Sequence, residues 1–208
     1  NGVYSPPFRN LVGKTNAKNF IRGYGYQGGA IRLSISELVA ELKYGPELKE
    51  AILKPGEWRI GLTAFGETLP DHSNRMYLDY DKLDEWGLPT VTFDADFGEN
   101  ELAMRKDMRE QAVKMLEAAG FKDVEGYDNI EGRAMGLGIH EMGTARMGRD
   151  PKTSVLNEFN QIHACTNVYV TDGAFMTSAG CQNPSLTYMA FTARAANHAA
   201  EQLKNNNA

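Results

Sequence analysis

Cysteine and long apolar runs are both scarce in this chain of 208 residues. Cys165 and Cys181 are too few and too unpatterned for a disulfide framework or a paired-cysteine metal site. We expect both to be free and packed, with a single bridge between them left open. No stretch approaches the roughly 20 apolar residues that a membrane helix needs, and residues 1–10 lack a basic-then-apolar export signal. The chain is therefore expected to be soluble, and its compartment, cytoplasmic or periplasmic, stays open.

An excess of basic charge is absent as well. The 22 Lys and Arg residues are outnumbered by 27 Asp and Glu residues, which gives a formal net charge of -5, and the basic side chains are scattered along the chain. The sequence therefore predicts no nucleic-acid partner. The hydrophobic content of 42% and the charged content of 24% are typical of globular proteins, so we expect a buried core in one domain or two small ones.

The pattern of apolar residues predicts a mixture of helices and antiparallel strands, an α+β fold. Residues 1–30 have the composition of loops around one short strand near 19–24. Strands with one wet face are predicted at 58–65, 75–80 and 90–95, and short strands at 124–127 and 168–170. Helices are predicted after Ser36 and at 47–53, 99–119 and 184–203, with Gly120 as a C-terminal stop for the third.

Two motif matches carry little weight. Residues 23–28 have the GxGxxG spacing of a dinucleotide fingerprint, but they lack the preceding buried strand and the helix that would open at the third glycine. We expect a flexible loop there. His140 and Glu141 begin a run like HExxH, but Thr144 stands where the zinc helix needs its second histidine, so no metal site is predicted.

His140 is the candidate with chemistry around it. It lies in a glycine-rich run, 136–148, whose missing side chains allow backbone to come close to a flat ligand. Downstream, Asn183 and Pro184 form a good helix N-terminus, with the asparagine as N-cap and the proline at the first helical position. Such a helix end offers unpaired N–H groups and a partial positive charge to an anionic ligand edge.

Four spaced motifs follow one another in the C-terminal third of the chain. They are HEMGTARMGRDP at 140–151, SV at 154–155, NVYVTDG at 167–173 and NPSLTYMA at 183–190. Together they resemble the C-terminal signature of the glucose-methanol-choline (GMC) oxidoreductases. Shorter runs resemble the family's strand-rich substrate region, namely GETLP at 66–70, NR at 74–75 and WGLP at 86–89. The resemblance covers residues 57–203, and residues 1–55 fit it less distinctively.

The resemblance implies an enzyme that oxidises a hydroxyl group of an alcohol or sugar and passes hydride to flavin N5 of FAD. His140 takes the place of the family's catalytic histidine, which accepts the hydroxyl proton, and imidazole is a suitable base near neutral pH. Asn183 stands where a second catalytic residue, His or Asn, orients the substrate oxygen. Asparagine there favours the sugar-dehydrogenase and sterol-oxidase branches. Whether FAD is covalently bound, and whether electrons pass to oxygen, a quinone or a cytochrome, stays open.

The same resemblance implies a set of cofactor contacts. Asp172 and the backbone of Gly173 match the family's FAD-contacting pair. Pro184, Ser185 and Thr187 match the helix start that lies beside the pyrimidine edge of the flavin.

The family's FAD-binding βαβ unit has no counterpart in this chain, which also does not begin with Met. We therefore expect the C-terminal part of a longer enzyme whose N-terminal FAD-binding segment is the missing partner. Residues 1–130 would be mostly a substrate-binding domain, and 131–208 the C-terminal part of the FAD-binding domain. Alone, these parts should bind FAD weakly or not at all, and an unpaired strand edge favours self-association.

A different class of function competes with this one, since the chain could be a non-catalytic carbohydrate-binding or interaction module. The substrate's identity is not set by the motifs, and four residues are candidates either for pocket walls or for packing: Tyr24, Tyr26, Gln27 and Phe65. Of the remaining histidines, we expect a structural role for His163 and surface positions for His72 and His198.

Overall fold

The computed structural model has antiparallel strands and helices, which confirms the α+β class. It describes residues 2–11, 19–32, 45–53, 56–128 and 135–206. The strands are β1 (Gly2–Ser5), β2 (Tyr24–Arg32), β3 (Trp58–Gly66), β4 (Arg75–Leu83), β5 (Pro89–Asp94), β6 (Gln161–Ile162) and β7 (Cys165–Tyr169). The helices are α1 (Pro46–Leu53), α2 (Glu99–Ala118) and α3 (Ser185–Asn206), with a 3-10 turn at Gly173–Phe175. Within those residues no helix has both the length and the apolar character needed to cross a membrane. The predicted helix after Ser36 lies outside the described residues.

The chain divides into two compact units. The first consists of Asn1–Gly66 and Ala103–Tyr127, and the second of Glu67–Leu102 and Asp128–Ala208. The second unit thus includes residues 67–102 as well as the C-terminal part of the chain. The domain boundary at residue 130 stays a prediction. The assignment of 1–130 to substrate and of 131–208 to FAD stays a prediction.

In the first unit, β1, β2 and β3 form one antiparallel sheet with β2 in the middle. Gly28 pairs with Val3 on one side and with Leu62 on the other. The prediction of a flexible loop over residues 23–28 was therefore wrong. The missing side chain serves sheet packing instead, because a Cβ on Gly28 would lie 2.1 Å from the carbonyl oxygen of Gly61.

The core of this unit is mainly aromatic, and its buried members among the described residues are Phe20, Tyr24, Tyr26 and Met104. The Tyr24 hydroxyl donates to Asp107 Oδ2 at 2.5 Å, and the Tyr26 hydroxyl donates to the carbonyl oxygen of Met108 at 2.7 Å. Both hydroxyls are thus satisfied, as buried polar groups must be. Of the two interpretations left open for these tyrosines, packing is the one that applies, while Gln27 and Phe65 are half-buried.

Asp107 joins two parts of the first unit. It accepts from Arg9 Nε at 2.8 Å as well as from the Tyr24 hydroxyl. The hydrogen bond to Asp107 raises the pKa of Arg9, and burial followed by the same carboxylate raises the pKa of Tyr24. A charged donor and a neutral donor therefore share one half-buried carboxylate, which is a stronger arrangement than neutral hydrogen bonds alone.

Helix α2 forms where the sequence predicts it. Glu99 and Glu101 lie in its first turn, where acidic side chains oppose the positive end of the helix dipole. At the other end Gly120 adopts φ +86° and donates to the carbonyl oxygen of Glu117 at 2.9 Å, while Phe121 donates to that of Leu116 at 3.0 Å. These two bonds form a Schellman motif, so the predicted glycine stop is confirmed.

The strands predicted near 75–80 and 90–95 are confirmed, and they pair as the β4–β5 hairpin of the second unit rather than with β3. One face of the hairpin carries a row of exposed apolar and aromatic side chains: Met76, Leu78, Tyr80, Val91 and Phe93. The prediction of a single wet face was therefore wrong for this hairpin among the described residues. Self-association through an unpaired edge stays a prediction.

The strand predicted at 124–127 is also wrong. These residues adopt no regular structure and follow the chain reversal at Gly120. A Cβ on Gly126 would meet Val113 Cγ2 at 2.8 Å and Arg109 Cγ at 2.9 Å, so the segment packs closely against α2. Contact with a helix takes the place of strand pairing.

Burial of Tyr26 makes stability depend on alkaline pH. Burial raises the pKa of Tyr26 from 10.0 to about 12. The unfolded chain therefore loses this proton first, so stability is fully present below about pH 10 and falls as the pH rises towards 12. Between these two pH values the free energy of unfolding of Tyr26→Phe should fall by about 2 kcal/mol less than that of the wild type. Urea unfolding at each pH measures both values.

The matched control is Tyr80→Phe, because Tyr80 is 74% exposed. It should retain the wild-type pH dependence. An unchanged slope in Tyr26→Phe would show that this hydroxyl does not contribute to alkaline unfolding.

Candidate functional site

In the second unit the glycine-rich segment runs beside the 3-10 turn that follows β7. The amide of Ala145 donates to the carbonyl oxygen of Ala174 at 3.0 Å, and the amide of Met147 donates to that of Phe175 at 2.9 Å. These bonds attach the segment that carries His140 to the segment that carries Asp172 and Gly173. The two segments are far apart in the sequence, at 136–148 and 172–175, and the fold brings them together.

The loop around His140 has an unusual backbone. Gly136 and Gly143 adopt φ +91° and +87°, and Ile139 adopts φ +67°, a region that β-branched residues rarely enter. The amide of Gly138 donates to Glu141 Oε1 at 2.7 Å and closes the turn on which His140 lies. The half-buried His140 thus follows a strained residue, and strain of this kind is concentrated at functional sites.

Gly173 is the point of closest approach between the segments. A Cβ on this residue would lie 2.7 Å from the Tyr188 hydroxyl, 2.9 Å from Met142 Sδ and 3.0 Å from the carbonyl oxygen of Glu141. Any side chain would force these groups apart. The neighbouring Asp172 is exposed and caps the 3-10 turn, since its Oδ1 accepts from the amide of Ala174 at 2.9 Å.

Helix α3 begins one residue later than predicted. Its first turn is closed by the amide of Tyr188, which donates to the carbonyl oxygen of Pro184 at 3.1 Å. Pro184, which is buried, therefore occupies the N-cap position, and the prediction of Asn183 as N-cap was wrong. Asn183 lies just before the cap with its side chain exposed. The amides of Ser185 and Thr187 precede that first helical bond, so the helix itself supplies them with no acceptor.

Two carboxylates lie close to the first turn of α3. Burial raises the pKa of Tyr188, and the negative charges of Asp172 and Glu141 raise it further. The Tyr188 hydroxyl also donates to Met142 Sδ at 3.4 Å. Residues from the His140 loop, the 3-10 turn and α3 therefore converge on one tyrosine.

Motif matching missed three members of this group, namely Glu141, Met142 and Tyr188. Glu141 and Met142 lie inside the run that contains His140, and Tyr188 is four residues beyond Pro184, one helical turn along α3. Side chains one turn apart lie on the same face of a helix. This spacing was the available signal that Tyr188 and the start of α3 share a surface.

The family assignment rests on the segment that contains all of these residues. The sequence model of the GMC oxidoreductases matches residues 70–192, which is more than half of the chain. This chain belongs to the GMC oxidoreductase family. It corresponds to the C-terminal region of the proteins in that family.

Individual relatives are consistent with this assignment. The 2-methyl-1,2-propanediol dehydrogenase of Mycolicibacterium austroafricanum is 32% identical over 134 residues, which are 64% of this chain and 24% of that protein. The fructose dehydrogenase large subunit of Gluconobacter japonicus is 29% identical over 160 residues, 77% of this chain and 28% of that protein. The gluconate 2-dehydrogenase flavoprotein of Pantoea cypripedii is 28% identical over 206 residues, 91% of this chain and 34% of that protein. The chain therefore spans 24–34% of the length of these curated relatives.

Ser154 and His163 form a serine–histidine pair in this unit, and it has a structural role, as predicted for His163. His163 Nε2 lies 3.2 Å from Ser154 Oγ and 3.1 Å from the carbonyl oxygen of Gly148. The Ser154 hydroxyl donates to the carbonyl oxygen of Asp150 at 2.7 Å. Its proton is therefore directed away from the imidazole, and the pair lacks the geometry of an activated nucleophile.

The predictions for the two other histidines had different outcomes. His72 is exposed as expected, but His198 is half-buried, with its ring stacked 4.0 Å from that of Phe159 and its Nδ1 3.0 Å from the Tyr169 hydroxyl. A surface position for His198 was wrong because its ring contacts those of Phe159 and Tyr169. Cys165 and Cys181 form no disulfide, as predicted, although Cys165 is exposed rather than packed.

Gly173 should tolerate no side chain. We expect Gly173→Ala to lower the free energy of unfolding by about 1–3 kcal/mol, because the added methyl group overlaps a hydroxyl, a sulfur and a carbonyl oxygen. Urea unfolding of the purified chain measures the loss.

Gly61→Ala provides the control, since nothing lies within 4 Å of a Cβ at that position. It should change stability by no more than about 0.5 kcal/mol. Equal stability of the two variants would contradict the close packing at Gly173.

Proposed function

We propose that this chain is the C-terminal part of an FAD-dependent enzyme that oxidises a hydroxyl group of an alcohol or sugar. The observation that carries the proposal is the convergence of the His140 loop, the Asp172–Gly173 turn and the start of α3 within the second unit. The contacts at Gly173 support it, because they join the three segments that the family resemblance selects.

His140 is proposed to accept the proton of the substrate hydroxyl. Imidazole is the side chain best matched to proton transfer near neutral pH, and a base placed on a hydrogen-bonded loop keeps its orientation. Two features of the loop support this role: the carboxylate of Glu141 closes the turn, and the amides of Ala145 and Met147 attach it to the neighbouring segment.

Asn183 is proposed to orient the oxygen of the same hydroxyl. Its exposed side chain immediately precedes the N-terminus of α3, where an amide group can donate to an oxygen that becomes more negative as its proton leaves. An amide does not compete with His140 for that proton, since it has no basic nitrogen at neutral pH.

The start of α3 fits the flavin, which when bound supplies the hydride acceptor at N5. The amides of Ser185 and Thr187 have no acceptor within the helix, and the first turn contains no acidic side chain. Such an end stabilises negative charge. The side chain of Asp172 and the bare backbone of Gly173 would hold FAD from the adjacent turn, with Pro184 fixing where the helix begins.

We propose a substrate class from the names of the relatives. Those names specify 2-methyl-1,2-propanediol, fructose and gluconate, all of which carry hydroxyl groups. We propose an alcohol or a sugar for this chain as well, with residues 1–130 contributing mainly to the substrate side and 131–208 to the FAD side. The missing N-terminal FAD-binding segment would complete the cofactor site.

The role of His140 can be tested in the complete, flavin-loaded enzyme. We expect His140→Ala to slow flavin reduction by about 10²–10⁴-fold, the usual contribution of a general base, without loss of bound FAD. Anaerobic rapid mixing with 2-methyl-1,2-propanediol, fructose and gluconate measures the reduction rate, and absorbance at the flavin bands measures the FAD content.

His72→Ala is the control, because His72 is exposed and distant in sequence from the site. The flavin of His72→Ala should be reduced by substrate at the wild-type rate. Flavin reduction at that rate in His140→Ala would contradict the assignment of the base. Saccharide binding by calorimetry, without any flavin reduction by the wild type, would favour a non-catalytic carbohydrate-binding module instead.

A further inference from the structure

Tyr188 is the side chain that joins the two catalytic candidates. It lies in the first turn of α3, five residues after Asn183, and its hydroxyl donates to the sulfur of Met142, two residues after His140. We propose that Tyr188 is a positioning residue that sets the separation of His140 and Asn183. This inference rests on the proposed function of those two residues.

The α3 side of this link is rigid. The amide of Tyr188 makes the first helical hydrogen bond, to Pro184, and its carbonyl oxygen accepts from the Thr192 hydroxyl at 2.7 Å. Its ring packs edge-on against Phe175, with ring centroids 6.4 Å apart. The hydroxyl therefore has a direction fixed by the helix and by the 3-10 turn.

The loop side of the link has little freedom either. Met142 and Glu141 press on Gly173, where a Cβ would lie 2.9 Å from the sulfur and 3.0 Å from the Glu141 carbonyl oxygen. The Tyr188 hydroxyl would be 2.7 Å from the same Cβ. The Tyr188 hydroxyl, the Met142 sulfur and the Glu141 carbonyl oxygen thus surround the Cα of Gly173, which has no side chain. Because they are packed together, a shift of the hydroxyl displaces the loop that holds His140.

The contact between Tyr188 and Met142 matters for the geometry of the site rather than for its stability. A hydroxyl-to-thioether hydrogen bond is weak, and its loss removes little stability. Catalytic groups, however, must be held within about 0.5 Å of their productive positions, and a displacement of about 1 Å can cost about 100-fold in rate. A positioning residue should therefore affect the rate of the chemical step more than substrate affinity.

The test uses two variants that remove the same contact from opposite sides, in the complete flavin-loaded enzyme. Tyr188→Phe removes the hydroxyl and keeps the ring, and Met142→Leu removes the sulfur at similar volume. We expect each to lower the rate constant of flavin reduction about tenfold, with a change of less than about twofold in the apparent substrate Kd. The double variant should be no slower than the slower single variant, because one interaction is removed only once.

Tyr169→Phe is the matched control. Tyr169 is also a half-buried tyrosine of this unit, and its hydroxyl contacts His198 and Gln161 instead of the loop. Its reduction rate should equal that of the wild type. A wild-type rate in Tyr188→Phe, or losses that multiply in the double variant, would overturn the positioning role.

A second measurement separates this inference from the proposed function. In crystal structures of the wild-type enzyme and Tyr188→Phe, the distance between the His140 ring and the Asn183 amide should differ by about 0.5 Å or more. An unchanged distance overturns the inference even where no substrate of the panel reduces the flavin. If no substrate of the panel reduces the flavin of the wild-type enzyme, that result counts against the proposed function and leaves the positioning role unaffected.

Discussion

The backbone of Gly173, which has no side chain, is where the three candidate functional segments of the second unit meet. Three groups from two other segments crowd this position, so none of them can move far without displacing the others. The His140 loop is hydrogen-bonded to residues 174–175 next door, and Tyr188 belongs to the first turn of α3. One steric constraint therefore couples a loop, a 3-10 turn and a helix end. This coupling explains why irregular segments can hold side chains as precisely as a proposed active site requires.

The same unit keeps conformational strain near the proposed base. Ile139 occupies a left-handed conformation that disfavours a β-branched residue, and the Gly138 amide is committed to Glu141. Packing and hydrogen bonds on both sides hold that conformation in place. The first unit obtains its order differently, from an aromatic core in which Asp107 accepts from Tyr24 and from a distant arginine. Tyrosine hydroxyls thus serve structure in the first unit, where Tyr24 and Tyr26 are buried, and a proposed positioning role in the second, where Tyr188 is half-buried.

The sequence predicted regular elements well where capping signals were strong. Helix α2 and its stop at Gly120 follow from local patterns, and the family motifs located all segments of the candidate site. Local patterns failed where tertiary contact decides. The glycines of β2 indicated a loop because nothing in their own composition reveals a neighbouring strand, and residues 124–127 lost strand pairing to contact with α2. The role of Tyr188 was equally invisible, because it depends on a sulfur more than 40 residues away.

We propose that the His140 loop, the Gly173 turn and the start of α3 form one flavin-facing site. This arrangement can be tested by a crystal structure of the complete enzyme with FAD. The pyrimidine edge of the flavin should lie against the amides of Ser185 and Thr187, and the side chains of His140 and Asn183 should both face N5. A flavin bound away from α3, or a His140 side chain turned away from the flavin ring, would rule this arrangement out.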